Sequence, residues 1–437
     1  MDPVAPATQM SLELHAPRLG QRDPWLLSGL IALGFMALCA WYIWVPSKIV
    51  FDELHYTRAL RHLIALDKPF NREHPMVGKE MLAASVLLFG DNPIGWRAFS
   101  VLAGGITLLS AMRATWWASL SRASTILAGL LLASGFMLFV ISRIAMLDPF
   151  MLVFAWLALW ALAWALRHPR GGRPALIWAG LCMGLSFGSK WNVAPLLVLP
   201  LLTFAVVRLR NAGWRGLWRS RAAPLPGISL PEAVLWLAIL PLVTYFASFW
   251  PAYLLHEKPT TFSQIFQYQA DMLRLQDSVV KPHNYMSRWW QWVLNLRPIW
   301  FFYQNWDGAQ RGILMIGNPF TMLAGLPALA VCLYRGVFRG DRAMLAAFAG
   351  WFATLIMWVV SPKPVQFFYH YLLPQTFLLI ALALVLGRWW DRGEKWPAIA
   401  TTIVSVGLFA WFYPILSAQP LWSKGAFAFW MWSPTWR

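Results

Sequence analysis

WLLSGLIALGFMALCAWYIWVPSKIVFDE, residues 25–53, is the stretch that decides how the chain is read. From Trp25 to Val45 it carries no charge, which is enough helix to cross a hydrocarbon core of about 30 Å. The run then ends on Phe51-Asp52-Glu53. Two adjacent carboxylates at a membrane boundary are costly unless they have water, a partner or a chemical role. The chain has 18 acidic residues in 437, and two of them stand together here. Arg58, Arg61, His62, His74 and Lys79 follow. An acid pair facing a basic, partly amphipathic segment points to chemistry on an anionic, membrane-held substrate.

Outward from this stretch, the composition agrees. Mean hydropathy is +0.53, 59% of residues are hydrophobic and only 12% are charged. A soluble domain carries about 25% charged residues. The apolar runs are near helix-spanning length rather than short and alternating, so the expected fold class is an all-α polytopic membrane protein. The net charge of +18 does not imply nucleic acid as a partner, because the basic residues sit between apolar runs. Topology and contacts to lipid phosphates explain them better, making membrane lipids the expected surroundings. Cys39, Cys182 and Cys332 lie in apolar runs without metal-ligand spacing. The tail up to Asp23 shows no cleavable signal pattern, so the first span is expected to remain as an anchor.

About eleven transmembrane helices are expected. The first is 25–45; the others lie near 94–112, 123–141, 147–166, 174–188, 191–207, 232–253, 312–334, 343–360, 368–387 and 397–416. Two long polar-aromatic segments, 46–93 and 254–311, interrupt a single membrane domain covering 1–437. Arginine-rich short loops (Arg113/Arg122, Arg167/Arg170/Arg173, Arg208 to Arg221, Arg335/Arg339/Arg342, Arg388/Arg392/Lys395) alternate with loops holding one basic residue, Arg143, Lys190 or Lys363. The first set is expected to be cytoplasmic, and both long segments then face the other side. Asp52, Glu53, His74, Lys79, Arg143, Asp148, Lys190, Lys363 and His370 fall on that outer face.

Asp52 beside an apolar rim suits a general base with a raised pKa. Lys79, after His74-Pro75-Met76-Val77-Gly78, opens an apolar helix and suits an anion such as phosphate. Arg143 ends a span, and its fork suits phosphate or carboxylate. Asp148 precedes Pro149, so a helix-capping role competes with a functional one. Lys190 is either a phosphate neutraliser or an interface marker, and Lys363 and His370 lie in a rigid aromatic outer segment. No P-loop, GxGxxG, HExxH or Ser-x-x-Lys motif is present, so any group donor should be lipid-borne.

Phe51-Asp52-Glu53-Leu54-His55-Tyr56 followed by His74-Pro75-Met76-Val77-Gly78-Lys79 resembles the signatures of protein O-mannosyltransferases. Ser142-Arg143 to Asp148, Gly184 to Trp191, Leu296-Arg297-Pro298 to Tyr303, Gly317-Asn318-Pro319, Tyr369-His370-Tyr371-Leu372 and Trp430 to Trp436 match in order. The resemblance implies a GT-C fold. It also implies an inverting glycosyltransferase that moves a sugar, expected to be mannose, from a polyprenyl-phosphate carrier to a Ser/Thr hydroxyl of an exported protein. Asp52 would be the base, with Glu53 assisting. Arg143, Lys190 and Lys79 would hold the carrier phosphate, and His74, Asp148, Lys363, His370 and Arg297 would complete the donor site. The expected location is the inner (plasma) membrane, with the active site on its periplasmic or extracellular side. No cofactor is required, although a divalent metal stays open because Asp52, Glu53 and Asp148 could meet in space. Met76 stands where the family has a second proline, and segment 254–311 is too short for a lectin-like module, which implies a compact bacterial form. A lipid or glycan acceptor, as in aminoarabinose transferases, is the alternative. A transporter would need midplane charges and paired repeats, which the sequence lacks.

Overall fold

The computed structural model describes residues 22–218, 223–278 and 280–437. The N-terminal tail before residue 22 and two of the loop cations, Arg219 and Arg221, lie outside the described residues. The helices of the first half are α1 (Trp25–Ala40), α2 (Glu53–Ala65), α3 (Val77–Phe89), α4 (Pro93–Ser119), α5 (Arg122–Ala133), α6 (Met137–Ile141), α7 (Asp148–Arg167), α8 (Gly172–Ser189) and α9 (Ala194–Gly216). Those of the second half are α10 (Leu230–Ala247), α11 (Ile265–Asp277), α12 (Pro319–Phe338), α13 (Arg342–Val360), α14 (Leu372–Trp390) and α15 (Trp396–Leu416). Among the described residues, eight helices are long and apolar enough to cross a membrane, while α1 and α5 are shorter apolar helices. Every one of the eleven expected positions carries helix, and the protein is a multi-pass membrane protein.

Helix starts follow local chemistry. Asn92 accepts from the backbone N–H of Ile94 and Gly95 ahead of Pro93, and Asn318 does the same for Phe320 and Thr321 ahead of Pro319. The α14 segment is apolar all round, and it is enclosed on every side by α5, α12, α13 and other elements. By contrast, α9 and α10 are mostly exposed and turn Val198, Leu202, Leu242 and Val243 outward, as lipid-facing helices do.

Two expectations are corrected. The run 123–141 is not one helix: it stops at Ala133 and resumes at Met137, with Phe136 at φ 73° between. Asn318 and Gln375 tie down the break through the Gly135 carbonyl, by backbone N–H and side-chain amide respectively. The start of the 312–334 helix is instead part of a β-hairpin, β1 (Ile299–Trp306) against β2 (Ala309–Met315). Its turn is Asp307-Gly308, both at positive φ, the conformation a two-residue hairpin turn requires. The hairpin packs its buried Phe301 and Phe302 into the core beside α2.

Candidate active site

The site begins at Phe51. Its φ of 46° is left-handed, a strained state of order 1–3 kcal/mol that surrounding contacts must hold. They do so through its ring, which stacks on Phe301 at 4.5 Å and meets Phe367 and Tyr369 edge-on. This turn sends Asp52 and Glu53 in different directions.

Glu53 is fully buried and every lone pair is used. Oε1 accepts from Arg97 Nε (2.8 Å) and Ala145 N (2.8 Å); Oε2 accepts from Arg97 Nη2 (2.9 Å) and Val50 N (2.9 Å). Arg97 also donates to the carbonyls of Ile43, Pro46 and Lys48. The expected assisting carboxylate is thus the centre of a knot joining the α1–α2 loop, α4 and the segment before α7. Sequence reading missed Arg97, which sits in an apolar helix with no motif around it.

Asp52 stays partly exposed at the head of α2, with no capping bond. Burial pushes its carboxyl up to about 6, opposed most by the charge of Lys190. The Tyr369 phenol lies beside it and is held protonated, first by burial and then by the Asp52 charge. Lys190 Nζ contacts Asp148 Oδ2 at 2.7 Å and sits 4.9 Å from the Tyr369 ring centre. Asp148 is the first residue of α7 and pairs with Lys190 rather than capping the helix. Lys363 completes the group. Burial holds its ammonium below the ordinary lysine range, Lys190 adds to this, and Asp52 opposes it. No carboxylate lies within ion-pair distance of Lys363 among the described residues.

Of the other expected site residues, some support this group and others lie apart from it. The His74 imidazole is held well below its usual range, first by burial and then by Lys190, Lys79 and Lys363, so it stays neutral. Lys79 is buried and pushed down to about 8, and its ammonium donates to the carbonyls of Asn71 (2.9 Å) and His74 (2.8 Å). It staples the 71–74 loop instead of offering a free charge. His370 accepts from the backbone N–H of Phe367 (3.0 Å) and stacks on Trp358 at 3.9 Å, which orients the turn carrying Tyr369. Arg143 is spent on the carbonyls at the end of α1, with Trp41 O at 2.7 Å and Cys39 O at 2.5 Å. It closes that helix and does not reach the Asp52 group. Arg297 donates to Asn284 O in the second long segment and joins no bond to the cluster among the described residues. Asp52, Glu53 and Asp148 do not gather as metal ligands among the described residues, since two of the three are committed to Arg97 and Lys190.

A carboxylate of raised basicity, two ammonium groups and a phenol therefore converge on one face. Such a set can take a proton from a hydroxyl and stabilise a departing anion. Among solved structures, the fold is similar to the Saccharomyces cerevisiae protein O-mannosyltransferase Pmt1–Pmt2 complex bound to the sugar donor. That match has a TM-score of 0.82 at 14% identity over 99% of this chain and 95% of that one. Undecaprenyl-phosphate-bound ArnT from Cupriavidus metallidurans is also similar, with a TM-score of 0.59 at 14% identity over 90% and 76%. The architecture is the GT-C fold. Residues 73–245 match the dolichyl-phosphate-mannose-protein mannosyltransferase model, and 261–339 match the C-terminal four-helix region of protein O-mannosyltransferases. The polyprenol-phosphate-mannose–protein mannosyltransferase of Mycolicibacterium smegmatis is 26% identical over 89% of this chain and 87% of its own length. That of Mycobacterium tuberculosis is 24% identical over 100% and 97%. The chain belongs to the protein O-mannosyltransferase family.

Proposed function

We propose that this protein transfers mannose from a polyprenyl-phosphate carrier to a Ser or Thr hydroxyl of an exported protein, with inversion at the anomeric carbon. The observation that carries the reading is the convergence of Asp52 with Lys190, Lys363 and Tyr369. Asp52 takes the acceptor proton as the hydroxyl oxygen bonds to the anomeric carbon. The bond from that carbon to the carrier phosphate oxygen breaks, and the electron pair leaves with the phosphate. Lys190 and Lys363 stabilise the charge that develops there. Asp148 holds Lys190 in place, and Tyr369 orients the Asp52 carboxyl. The leaving group is already an anion of low basicity, so these cations suffice and no cofactor enters the step. The site is taken to face the periplasmic or extracellular side of the inner (plasma) membrane, in keeping with the arginine-rich loops at the opposite helix ends. A protein acceptor is preferred because relatives that match over 89% and 100% of the chain carry that activity in their names.

The test is transfer from radiolabelled polyprenyl-phosphate-mannose, with Asp52→Asn as control and protein and lipid fractions counted separately. Asp52-dependent label in protein is expected. Label confined to lipid would move the acceptor to a glycolipid, and no label in either fraction from folded protein would overturn the donor.

A further inference from the structure

Between Asp277 and Asp307 the chain carries no acidic residue, and none occurs between Asp341 and Asp391. The fold lays pieces of these two stretches side by side at the rim of the site. Ser287 N donates to Gln366 O at 2.8 Å, and the His283 ring meets Phe367 edge-on at 5.2 Å. Phe367 in turn meets Phe51 edge-on at 6.4 Å, and Phe51 precedes Asp52. Arg297 fixes the strip 281–288 through the Asn284 carbonyl at 2.9 Å. The strip's own cations, Lys281 and Arg288, are exposed. Among the described residues, neither has a carboxylate within ion-pair distance, and the transfer step uses neither.

We infer that this strip is an acceptor subsite that selects protein segments carrying Asp or Glu three or four residues from the hydroxyl that receives the sugar. The inference rests on the transfer reading above. With the acceptor hydroxyl at Asp52, the path over Phe51 and Phe367 to His283 takes about three or four residues of extended chain, at roughly 3.3 Å each. There the acceptor meets two cations and no carboxylate. Complementary charge at such a rim favours encounter with an acidic segment and repels a basic one. An anionic lipid headgroup would feel the same charge. The strip, however, joins Asp52 through half-buried rings, at the place where the reaction brings the acceptor.

The experiment is transfer from polyprenyl-phosphate-mannose to three synthetic peptides, with the full-length protein in detergent and in phosphatidylglycerol vesicles. Each peptide has one central Thr and carries Glu, Gln or Lys at the third and fourth positions on both sides. The Glu peptide should show a KM about tenfold below that of the Gln peptide at low salt, from about threefold per exposed charge pair, with similar kcat. Salt near 0.5 M should erase most of this advantage, because it shortens the screening length to roughly 4 Å. Joint Lys281→Gln and Arg288→Gln substitution should make the Glu and Gln peptides equal. Joint Lys281→Glu and Arg288→Glu substitution should favour the Lys peptide. Equal KM for Glu and Gln peptides in the wild type, with both labelled, overturns this inference and leaves the transfer reading standing. No label in any peptide from folded protein overturns both. Retained Glu preference in the double Gln variant also overturns the inference. So does a change confined to the donor KM, which would give these cations to the carrier phosphate, or one seen only in vesicles, which would give them to lipid.

Discussion

Asp52 and Glu53 are neighbours in sequence and opposites in chemistry. Glu53 accepts four hydrogen bonds in a dry knot with Arg97, whereas Asp52 is left without a cap at the rim of the site. Asp52→Asn should cut transfer by about 10²–10⁴-fold, the range of a lost general base, with donor binding retained. The wild-type kcat/KM should fall on the acid side with a midpoint near 6, because only the ionised carboxylate accepts a proton. The stability effect has the opposite sign. A carboxyl whose folded pKa is raised favours its neutral form, so its contribution is present at low pH and lost as pH rises through about 6. The Asn variant should accordingly melt higher than wild type at pH 8 and gain less at pH 5. A variant that melts lower at pH 8 would mean Asp52 is a structural anchor. Glu53→Gln should behave differently, costing about 3–5 kcal/mol because it leaves the buried Arg97 charge without its carboxylate. A chemical melt showing less than 1 kcal/mol of loss would contradict the knot.

At the scale of elements, the enclosed helix α14 sets how closely its neighbours approach. A Cβ on Gly387 would fall 2.6 Å from the backbone nitrogen of Ser124 and 2.7 Å from its Cα, and backbone cannot swing aside. Gly387→Ala should therefore push α5 from α14 and destabilise by about 1–3 kcal/mol, the usual cost of overpacking. An unchanged melting temperature would show that the two helices separate freely. The β-hairpin illustrates the reverse kind of legibility. Asp307-Gly308 is a hairpin signal in plain view, yet the apolar residues of β2 read equally well as the start of a span. Short apolar runs have no decisive period, and only pairing with β1 separates the two readings.

For the whole molecule, the cations around Asp52 come from separate parts of the chain, Lys190 after α8 and Lys363 before α14. A carrier phosphate binding between them should stabilise the folded state. At undecaprenyl phosphate concentrations near 100-fold above Kd the gain is about 2.7 kcal/mol. In Lys363→Ala the melting shift at the same ligand concentration should shrink while the unliganded melting temperature stays within error, since among the described residues no carboxylate is ion-paired with Lys363. A full ligand shift in that variant would remove Lys363 from the phosphate site.

The sequence by itself determined the membrane class and most of the helical positions, and it set out the sidedness of the charged loops and Asp52 as expectations. These depend on apolar run length and on where charges interrupt it, both of which are local. Which charges gather around Asp52 was decided only by the tertiary structure. Arg143, Lys79 and Glu53 look in sequence like Lys190, Lys363 and Asp52, yet the fold commits the first three to carbonyls, backbone N–H groups and Arg97. Arg97 and Tyr369 entered the site for the same reason in reverse. A buried polar group takes the partner that three-dimensional packing brings to it, and residues 44 positions apart, as Glu53 and Arg97 are, leave no trace of that partnership in local pattern.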